Sequence, residues 1–203
     1  DSTGQNVDLL NCTFRNNTAD GVGGVLDFIH HGNTSAQIVK VEQSEIHDNR
    51  AMSPTFGYGG ALSFRTSQDV PVHVALSQLN ITGNSAIYGG FLYVTGFSHT
   101  ITMERVSVSN NSANINGGVF NLVVVTQMPS IVGDQVLTAF NSTFSGNSAT
   151  HRGGSFVLST FGPRNQTLNL TQCNLTDGMA SIGAVGLMIT HFNGITQYLS
   201  LSD

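Results

Sequence analysis

The sequence has few charged residues, no tryptophan and only two cysteines. Charged residues make up 9% of the 203 residues, against about a quarter in a typical soluble protein. The seven lysine and arginine residues are scattered, which argues against a nucleic-acid surface, because that requires clustered positive charge. No apolar run reaches the roughly 18 residues of a membrane span. Two cysteines, Cys12 and Cys173, are too few for a disulfide scaffold.

The hydrophobic content is sufficient for a folded domain. Hydrophobic residues make up 39% of the chain and glycine accounts for 23 residues, which is not the composition of a disordered protein. Residues 1–203 are therefore predicted to form one domain with a continuous core. The chain begins at Asp1 without a signal-peptide pattern, so it is expected to be a segment of a longer chain or array.

Nine Asn-X-Ser/Thr sequons predict N-linked glycans, which would keep so uncharged a surface soluble. They imply a secreted or cell-surface protein from a secretory eukaryote, and no other cofactor is predicted. The sequons start at Asn11, Asn16, Asn33, Asn80, Asn110, Asn141, Asn165, Asn169 and Asn174.

An eight-residue motif recurs six times, and a glycine pair follows it in five copies. Internal repeats of this kind are typical of solenoids. The copies are CTFRNNTA (12–19), SEIHDNRA (44–51), LNITGNSA (79–86), VSVSNNSA (106–113), STFSGNSA (142–149) and CNLTDGMA (173–180). The pairs are Gly23-Gly24, Gly59-Gly60, Gly89-Gly90, Gly117-Gly118 and Gly153-Gly154, and the sixth copy has Gly183-Ala184.

Apolar residues upstream of each motif follow one template. In the first copy they are Val7, Leu9, Cys12 and Phe14, and this spacing of two, three and two predicts two short strands separated by a bend. A further strand follows the glycine pair. The template begins again at Val39, Val74, Ile101, Leu137, Leu168 and Leu199. A right-handed parallel β-helix of about six rungs, with the start of a seventh, is therefore predicted, because stacking buries the apolar face that one repeat exposes.

One asparagine of each motif is predicted to stack in a ladder inside the coil. Stacked asparagines can hydrogen-bond along an in-register parallel array, and asparagine also suits tight bends. None of these asparagines begins a sequon, so the structural and modifiable asparagines are separate sets. The ladder comprises Asn17, Asn49, Asn84, Asn111 and Asn147, with Gly178 in the sixth copy.

The repeat resembles the GGAI/FxxN repeats of polymorphic outer membrane proteins and related extracellular β-helix proteins. FxxN is literal at Phe14–Asn17 and Phe144–Asn147, and the glycine element reads GGVL, GGAL, GGFL, GGVF and GGSF. The resemblance covers almost the whole chain. It implies a pectin-lyase-like right-handed β-helix with a surface-exposed, often adhesive role. The sequons depart from a bacterial setting.

The strand after the glycine pair carries no sequon, and its outward positions are partly apolar. A glycan-free apolar stripe is a candidate contact surface for another chain. In the alternative, variable loops fold over it. The candidate interface comprises Val25, Phe91, Tyr93, Val119, Val157, Val185 and Leu187.

No catalytic, cofactor-binding or metal-binding residue is predicted. The acidic residues are dispersed, whereas a glycoside hydrolase needs a carboxylate pair, and neither Arg65 nor Arg105 has an acidic cluster in the surrounding sequence. His30-His31 has no further metal ligand placed near it. Cys12 and Cys173 occupy one template position five rungs apart, about 24 Å at the usual strand spacing. They are therefore predicted to be buried free thiols.

These observations predict an extracellular structural or adhesive module, not an enzyme. It is expected to associate with itself, end to end as in a fibril or through a glycan-free face, or to bind another extracellular protein or a glycan. The alternative is a carbohydrate-active enzyme or carbohydrate-binding module on the same fold. Nucleic acid is not an expected partner.

Overall fold

A computed structural model describes residues 6–30, 36–53, 55–66, 71–96, 98–124, 134–160, 165–183, 186–190 and 197–202. These residues form strands, bends and turns, with no helix among them. Within these ranges, nothing resembles a long apolar helix that could cross a membrane.

Four parallel sheets run along the coil, each built from equivalent strands of successive rungs, and sheet C has no strand in the sixth rung. Sheet A contains β1 (Asn6–Leu10), β5 (Gln37–Glu42), β9 (Pro71–Ser77), β13 (Ser98–Glu104), β17 (Gln135–Phe140), β21 (Gln166–Thr171) and β24 (Gln197–Ser202). Sheet B contains β2 (Thr13–Arg15), β6 (Glu45–His47), β10 (Asn80–Thr82), β14 (Ser107–Ser109), β18 (Thr143–Ser145) and β22 (Asn174–Thr176).

The other two sheets complete each rung. Sheet C contains β3 (Thr18–Ala19), β7 (Arg50–Ala51), β11 (Ser85–Tyr88), β15 (Ser112–Asn116) and β19 (Ser148–Ala149). Sheet D contains β4 (Leu26–His30), β8 (Leu62–Thr66), β12 (Leu92–Gly96), β16 (Phe120–Val124), β20 (Phe156–Thr160) and β23 (Gly186–Thr190).

Strand pairing follows the repeat read from the sequence. Val7 pairs with Val39, and Val39 pairs with Val74, so each template residue lies beside its equivalent in the next rung. Leu168 pairs with Leu199 in the seventh strand of sheet A. The predicted right-handed parallel β-helix is therefore confirmed.

Each rung turns at three bends where one residue has a positive φ. The first bend separates sheets A and B and supplies the extra residue of the template. Its φ angles lie between 46° and 54°, at Asn11, Gln43, Gln78, Arg105, Asn141 and Gln172. The second bend lies at Asn16 and its equivalents, and the third at the first glycine of each pair. Because the second bend separates two strands, each of the first five rungs has four strands, one more than the sequence predicts.

The core is a stack of equivalent inward side chains. Ile46, Ile81 and Val108 follow one another in sheet B and are buried. In sheet D the rings of Phe28 and Phe64 stack at 4.8 Å, with 5° between their planes. The inward positions predicted from the sequence therefore form the hydrophobic interior.

Candidate functional site

The asparagine ladder runs through the interior at the second bend. Asn49 Nδ2 donates to Asn84 Oδ1 at 2.9 Å, and the Asn49 backbone amide donates to the same oxygen at 3.0 Å. Asn49 Nδ2 also donates to the carbonyl oxygen of Phe14 at 3.0 Å. The same pattern continues from Asn84 to Asn111 and from Asn111 to Asn147. Each interior asparagine thus has its amide satisfied, which a buried polar group requires.

The ladder ends at Asn147 because the next position is Gly178, which lies one rung further along the coil. The φ of Gly178 is not in the left-handed region, so an asparagine can adopt the backbone there. Gly178→Asn should raise the free energy of unfolding by about 1–2 kcal/mol, through new bonds to Asn147 and a less flexible unfolded chain. Urea unfolding measures this change. Gly178→Ala only makes the unfolded chain less flexible, so its free energy of unfolding should rise less. An equal rise in the two variants would contradict an extension of the ladder.

The sequon asparagines lie apart from the ladder, on the outside. All those within the described residues are exposed, except Asn169, which is half-buried on the outer side of sheet A. Asn33 lies outside the described residues. Six of the others surround sheet B, either on its strands or at the two bends beside it: Asn11, Asn16, Asn80, Asn110, Asn141 and Asn174.

The candidate interface on the strand after the glycine pair is wrong as an exposed stripe. Phe91 and Val119 are 0% exposed and belong to the core. Val157 is also buried, Val25 packs against the core, and Tyr93 is half-buried. Val185 lies outside the described residues, and Leu187 is placed only by its pairing with Val157.

Two causes explain this error. The Phe91 and Leu92 amides both donate to the Val119 carbonyl oxygen, at 3.0 and 2.9 Å. The strand does not alternate there, as at a β-bulge, and both side chains point inward. Val157 does alternate with Phe156 and Leu158, but other parts of the chain cover it. That burial agrees with the alternative in which loops cover this strand.

Several exposed apolar side chains lie between the second and third bends of their rungs, within or after the sheet C segment. Met52, Phe56 and Met179 are 58%, 62% and 64% exposed, and Ile115 and Ile182 belong to the same region. No sequon asparagine lies in residues 18–30, 50–66, 85–96, 112–124, 148–160 or 179–190. We call the surface formed by Met52, Phe56, Ile115, Met179 and Ile182 the bare face.

Three tyrosines lie along the same region. Tyr58 pairs with Tyr88 in the next rung, and their rings are 5.5 Å apart. The ring of Tyr58 lies 4.4 Å from that of Tyr93. Burial, with a smaller effect from Tyr58, raises the pKa of Tyr93 to about 12. These rings therefore join the bare face to the outer side of sheet D.

A second column, polar at four of its five positions and not predicted from the sequence, lies on the inner side of sheet A. Gln37, Val72, His99, Gln135 and Gln166 lie in register there and are all buried. Gln166 Nε2 donates to Gln135 Oε1 at 3.0 Å. Burial lowers the pKa of His99 to about 3. The signal that could have revealed it is a glutamine two residues before five of the seven template starts, at Gln5, Gln37, Gln135, Gln166 and Gln197.

Acid should destabilise the protein through His99. Above its ordinary pKa of 6.5 the imidazole is neutral in both states, but below it only the unfolded chain binds the proton. Stability should therefore fall by about 1.4 kcal/mol per pH unit from about pH 6 toward pH 3. The free energy of unfolding, measured with urea, should fall between pH 7.5 and pH 4.5. This fall should be about 2–3 kcal/mol smaller in His99→Gln than in wild type. His73→Gln, on the outer side of sheet A, is the control and should behave as wild type.

A groove of about 380 Å³ lies on the outer side of sheet A. Glu42, Ser77, Glu104 and Phe140 form one column along it. Glu42 and Glu104 are two rungs apart, so their Cα atoms are separated by about 10 Å. Phe140 is 42% exposed. The groove thus combines two carboxylates with an aromatic ring and hydroxyl groups.

The charged residues considered in the sequence analysis are partly paired. Arg65 Nε donates to Asp27 Oδ1 at 3.2 Å, and Arg105 lies 2.9 Å from Glu104. Among the residues placed by the structure, no three His, Cys, Asp or Glu side chains come together as metal ligands would.

Cys12 and Cys173 are free thiols, as predicted, but they are half-buried because they lie near the two ends of the coil. Each Sγ donates to the carbonyl oxygen two residues earlier, at 3.3 Å. The hydroxyl groups of Ser44 and Ser142 make the same bond at the same template position. Cysteine and serine therefore share one structural role beside the first bend.

Comparison with known proteins finds no relative: no protein-family model, curated protein or solved structure matches the chain.

Proposed function

We propose that the chain is an N-glycosylated structural or adhesive module, secreted or held at a cell surface, that self-associates through the bare face. One observation carries the proposal: the five exposed apolar side chains of the bare face lie between the second and third bends, where no rung has a sequon asparagine. Asn80 and Asn174 lie on sheet B, whereas Met52 and Phe56 follow β7, and Met179 pairs with Ser148 at the start of β19. Glycans would shield one side and leave the other free for contact.

We also infer that the repeats belong with the GGAI/FxxN repeats of extracellular β-helix proteins. The FxxN element supports this because its asparagine makes the ladder, as at Phe14 and Asn17. The glycine element supports it because its first glycine has a positive φ in every described rung. Membership in that group agrees with a surface-exposed, adhesive role.

A second copy of the chain is the partner that the bare face fits best. Exposed apolar side chains there include both aliphatic and aromatic groups. Charge is sparse over the whole chain, at 9% of residues, so two copies would meet with little repulsion. A twofold contact uses the same patch on both molecules, and burying Met52 and Phe56 would supply its hydrophobic centre.

Sedimentation velocity on protein secreted from a eukaryotic host tests self-association. Wild type should form dimers or larger species, and Met52→Ser with Phe56→Ser should weaken the association at least tenfold. Phe140→Ser is the matched control, because that ring is also exposed but lies beside the sequon at Asn141. A monomeric wild type, or an equal loss in the control, would contradict the proposed surface.

Intact mass before and after enzymatic removal of N-glycans tests the glycosylation. Secreted protein should lose mass corresponding to several glycans, with exposed Asn80, Asn110 and Asn174 among the occupied sites. An unchanged mass would remove the basis for a shielded side.

A second candidate function is that of a carbohydrate-active enzyme or binding module, and the groove on sheet A favours it. Inverting glycosidases hydrolyse a glycosidic bond with two carboxyl groups about 6.5–9.5 Å apart. The flexible side chains of Glu42 and Glu104 could reach that separation. An exposed ring such as Phe140 can pack against a sugar. The ion pair between Glu104 and Arg105 argues against it, because that carboxylate is already engaged.

Release of reducing sugars from pectin-like and other polysaccharides separates the two functions. A structural or adhesive module should release none. An enzyme should release sugar and lose this activity in Glu42→Gln but keep it in Glu45→Gln, which changes an exposed carboxylate outside the groove.

A further inference from the structure

The column of Gln37, Val72, His99, Gln135 and Gln166 contains polar atoms that no protein group satisfies. Both ring nitrogens of His99 lack a hydrogen-bond partner, as do Oε1 and Nε2 of Gln37 and Nε2 of Gln135. All three side chains are almost fully buried. Five such atoms in four successive rungs are unusual, because buried polar groups in native proteins are nearly always hydrogen-bonded.

The asparagine ladder in the same coil is a buried column whose side chains are hydrogen-bonded to one another. Asn49, Asn84 and Asn111 are equally buried, yet each donates to one ladder asparagine and accepts from another. In the glutamine column only Gln166 and Gln135 are joined directly, at 3.0 Å. The direct ladder stops at His99, whose ring cannot offer the paired amide donor and acceptor of a glutamine.

A smaller residue interrupts the column beside these atoms. Val72 lies between Gln37 and His99 in the column, and its side chain ends two bonds short of the position of a glutamine amide. Gly96, at the buried end of β12, has no side chain and is separated from the start of β13 by one residue. The column therefore has its smallest side chain between the unpartnered atoms of Gln37 and those of His99.

We propose that this column is an internal hydration site, in which enclosed water molecules bridge Gln37, His99 and Gln135. The unpartnered atoms include donors on both glutamine amides, an acceptor on Gln37, and one donor and one acceptor on a neutral imidazole. Water both donates and accepts, and a buried water typically makes about three hydrogen bonds to groups of this kind. The site contains no carboxylate among its described residues, so it suits a neutral ligand.

Oxygen-17 magnetic relaxation dispersion detects water molecules that stay inside a protein. Wild type should give a signal from long-lived internal water. Val72→Gln should lower that signal, because its amide fills the space and bonds directly to Gln37 and His99. Val136→Gln changes a half-buried valine on the outer side of β17 and should leave the signal unchanged. Circular dichroism checks that each variant is folded.

Two further measurements keep the proposal falsifiable if Val72→Gln does not fold. His99→Val removes two of the polar atoms, at a position whose neighbour Val72 shows that valine fits, and should also lower the signal. A high-resolution crystal structure of wild type should place water within hydrogen-bond distance of His99 Nδ1 or Nε2. A wild type without long-lived water, or folded variants with an unchanged signal, would overturn the proposal.

Discussion

Asn84→Asp should lower the free energy of unfolding by about 3–5 kcal/mol, because it leaves a buried charge unpaired. Aspartate has the shape of asparagine but cannot donate as a carboxylate. It would lose the bonds to Asn111 Oδ1 and the Ile46 carbonyl oxygen, both at 2.9 Å. It would also place a negative oxygen against Asn111 Oδ1. Urea unfolding at neutral pH measures the change.

Asn80→Asp is the matched control for the ladder. Asn80 is exposed on the same rung, at the start of β10, so the change should stay within about 0.5 kcal/mol. Both variants should be made without glycans, since Asn80 begins a sequon. Similar losses in the two variants would show that Asn84 does not contribute as a ladder member.

Gly90→Ala should be at least as damaging and should prevent stable folding, with a loss above about 4–5 kcal/mol. Gly90 is the second glycine of its pair, and a Cβ there would overlap the Gly118 carbonyl oxygen of the next rung. The same Cβ would lie 2.5 Å from the Ser112 carbonyl oxygen and 2.8 Å from the Ser112 nitrogen. These are backbone atoms of neighbouring rungs, so they cannot move without breaking the strand pairing.

Gly21→Ala separates this steric effect from the general effect of losing a glycine. A Cβ at Gly21 would meet nothing within 4 Å, and Gly21 has no positive φ. The variant should be neutral or gain up to about 1 kcal/mol from a less flexible unfolded chain. Thermal unfolding followed by circular dichroism compares the two. A folded Gly90→Ala protein of wild-type stability would contradict the close approach of the rungs.

The sequence determines the coil well because a β-helix repeats one local rule. Val39, Val74 and Ile101 recur in one position, and pairing of equivalent residues then follows directly. The asparagine ladder is predictable for the same reason. Asn84 does not begin a sequon and is not apolar. Because asparagine recurs at this position of the repeat, an interior place where equivalent side chains hydrogen-bond to one another is indicated.

The errors arise where the rule depends on contacts distant in sequence. Phe91 and Leu92 point the same way only because both amides bond to Val119 of the next rung. Val157 alternates outward but is buried by other parts of the chain. Strict inward and outward alternation therefore predicts an exposed stripe on sheet D that the structure does not have. The exposed side chains Met52 and Phe56 lie in segments whose length varies between repeats, so the repeat pattern does not predict them.

Distances between spin labels along sheet B test the in-register stack most directly. Thr13, Glu45, Thr143 and Asn174 are exposed and occupy equivalent positions of different rungs. The native thiols are first removed by Cys12→Ser and Cys173→Ser, because serine occupies the same template position at Ser44 and Ser142. Two of the four sheet B positions at a time are then replaced by cysteine and labelled.

The pairs at positions 13 and 143 and at positions 45 and 174 each span four rungs. Both should therefore give narrow distributions centred near one value, about 19 Å between backbones, plus the length of the labels. The pair at positions 13 and 174 spans five rungs and should be about 5 Å longer. Unequal distances for the two four-rung pairs, or broad distributions without a common centre, would contradict a parallel coil stacked in register.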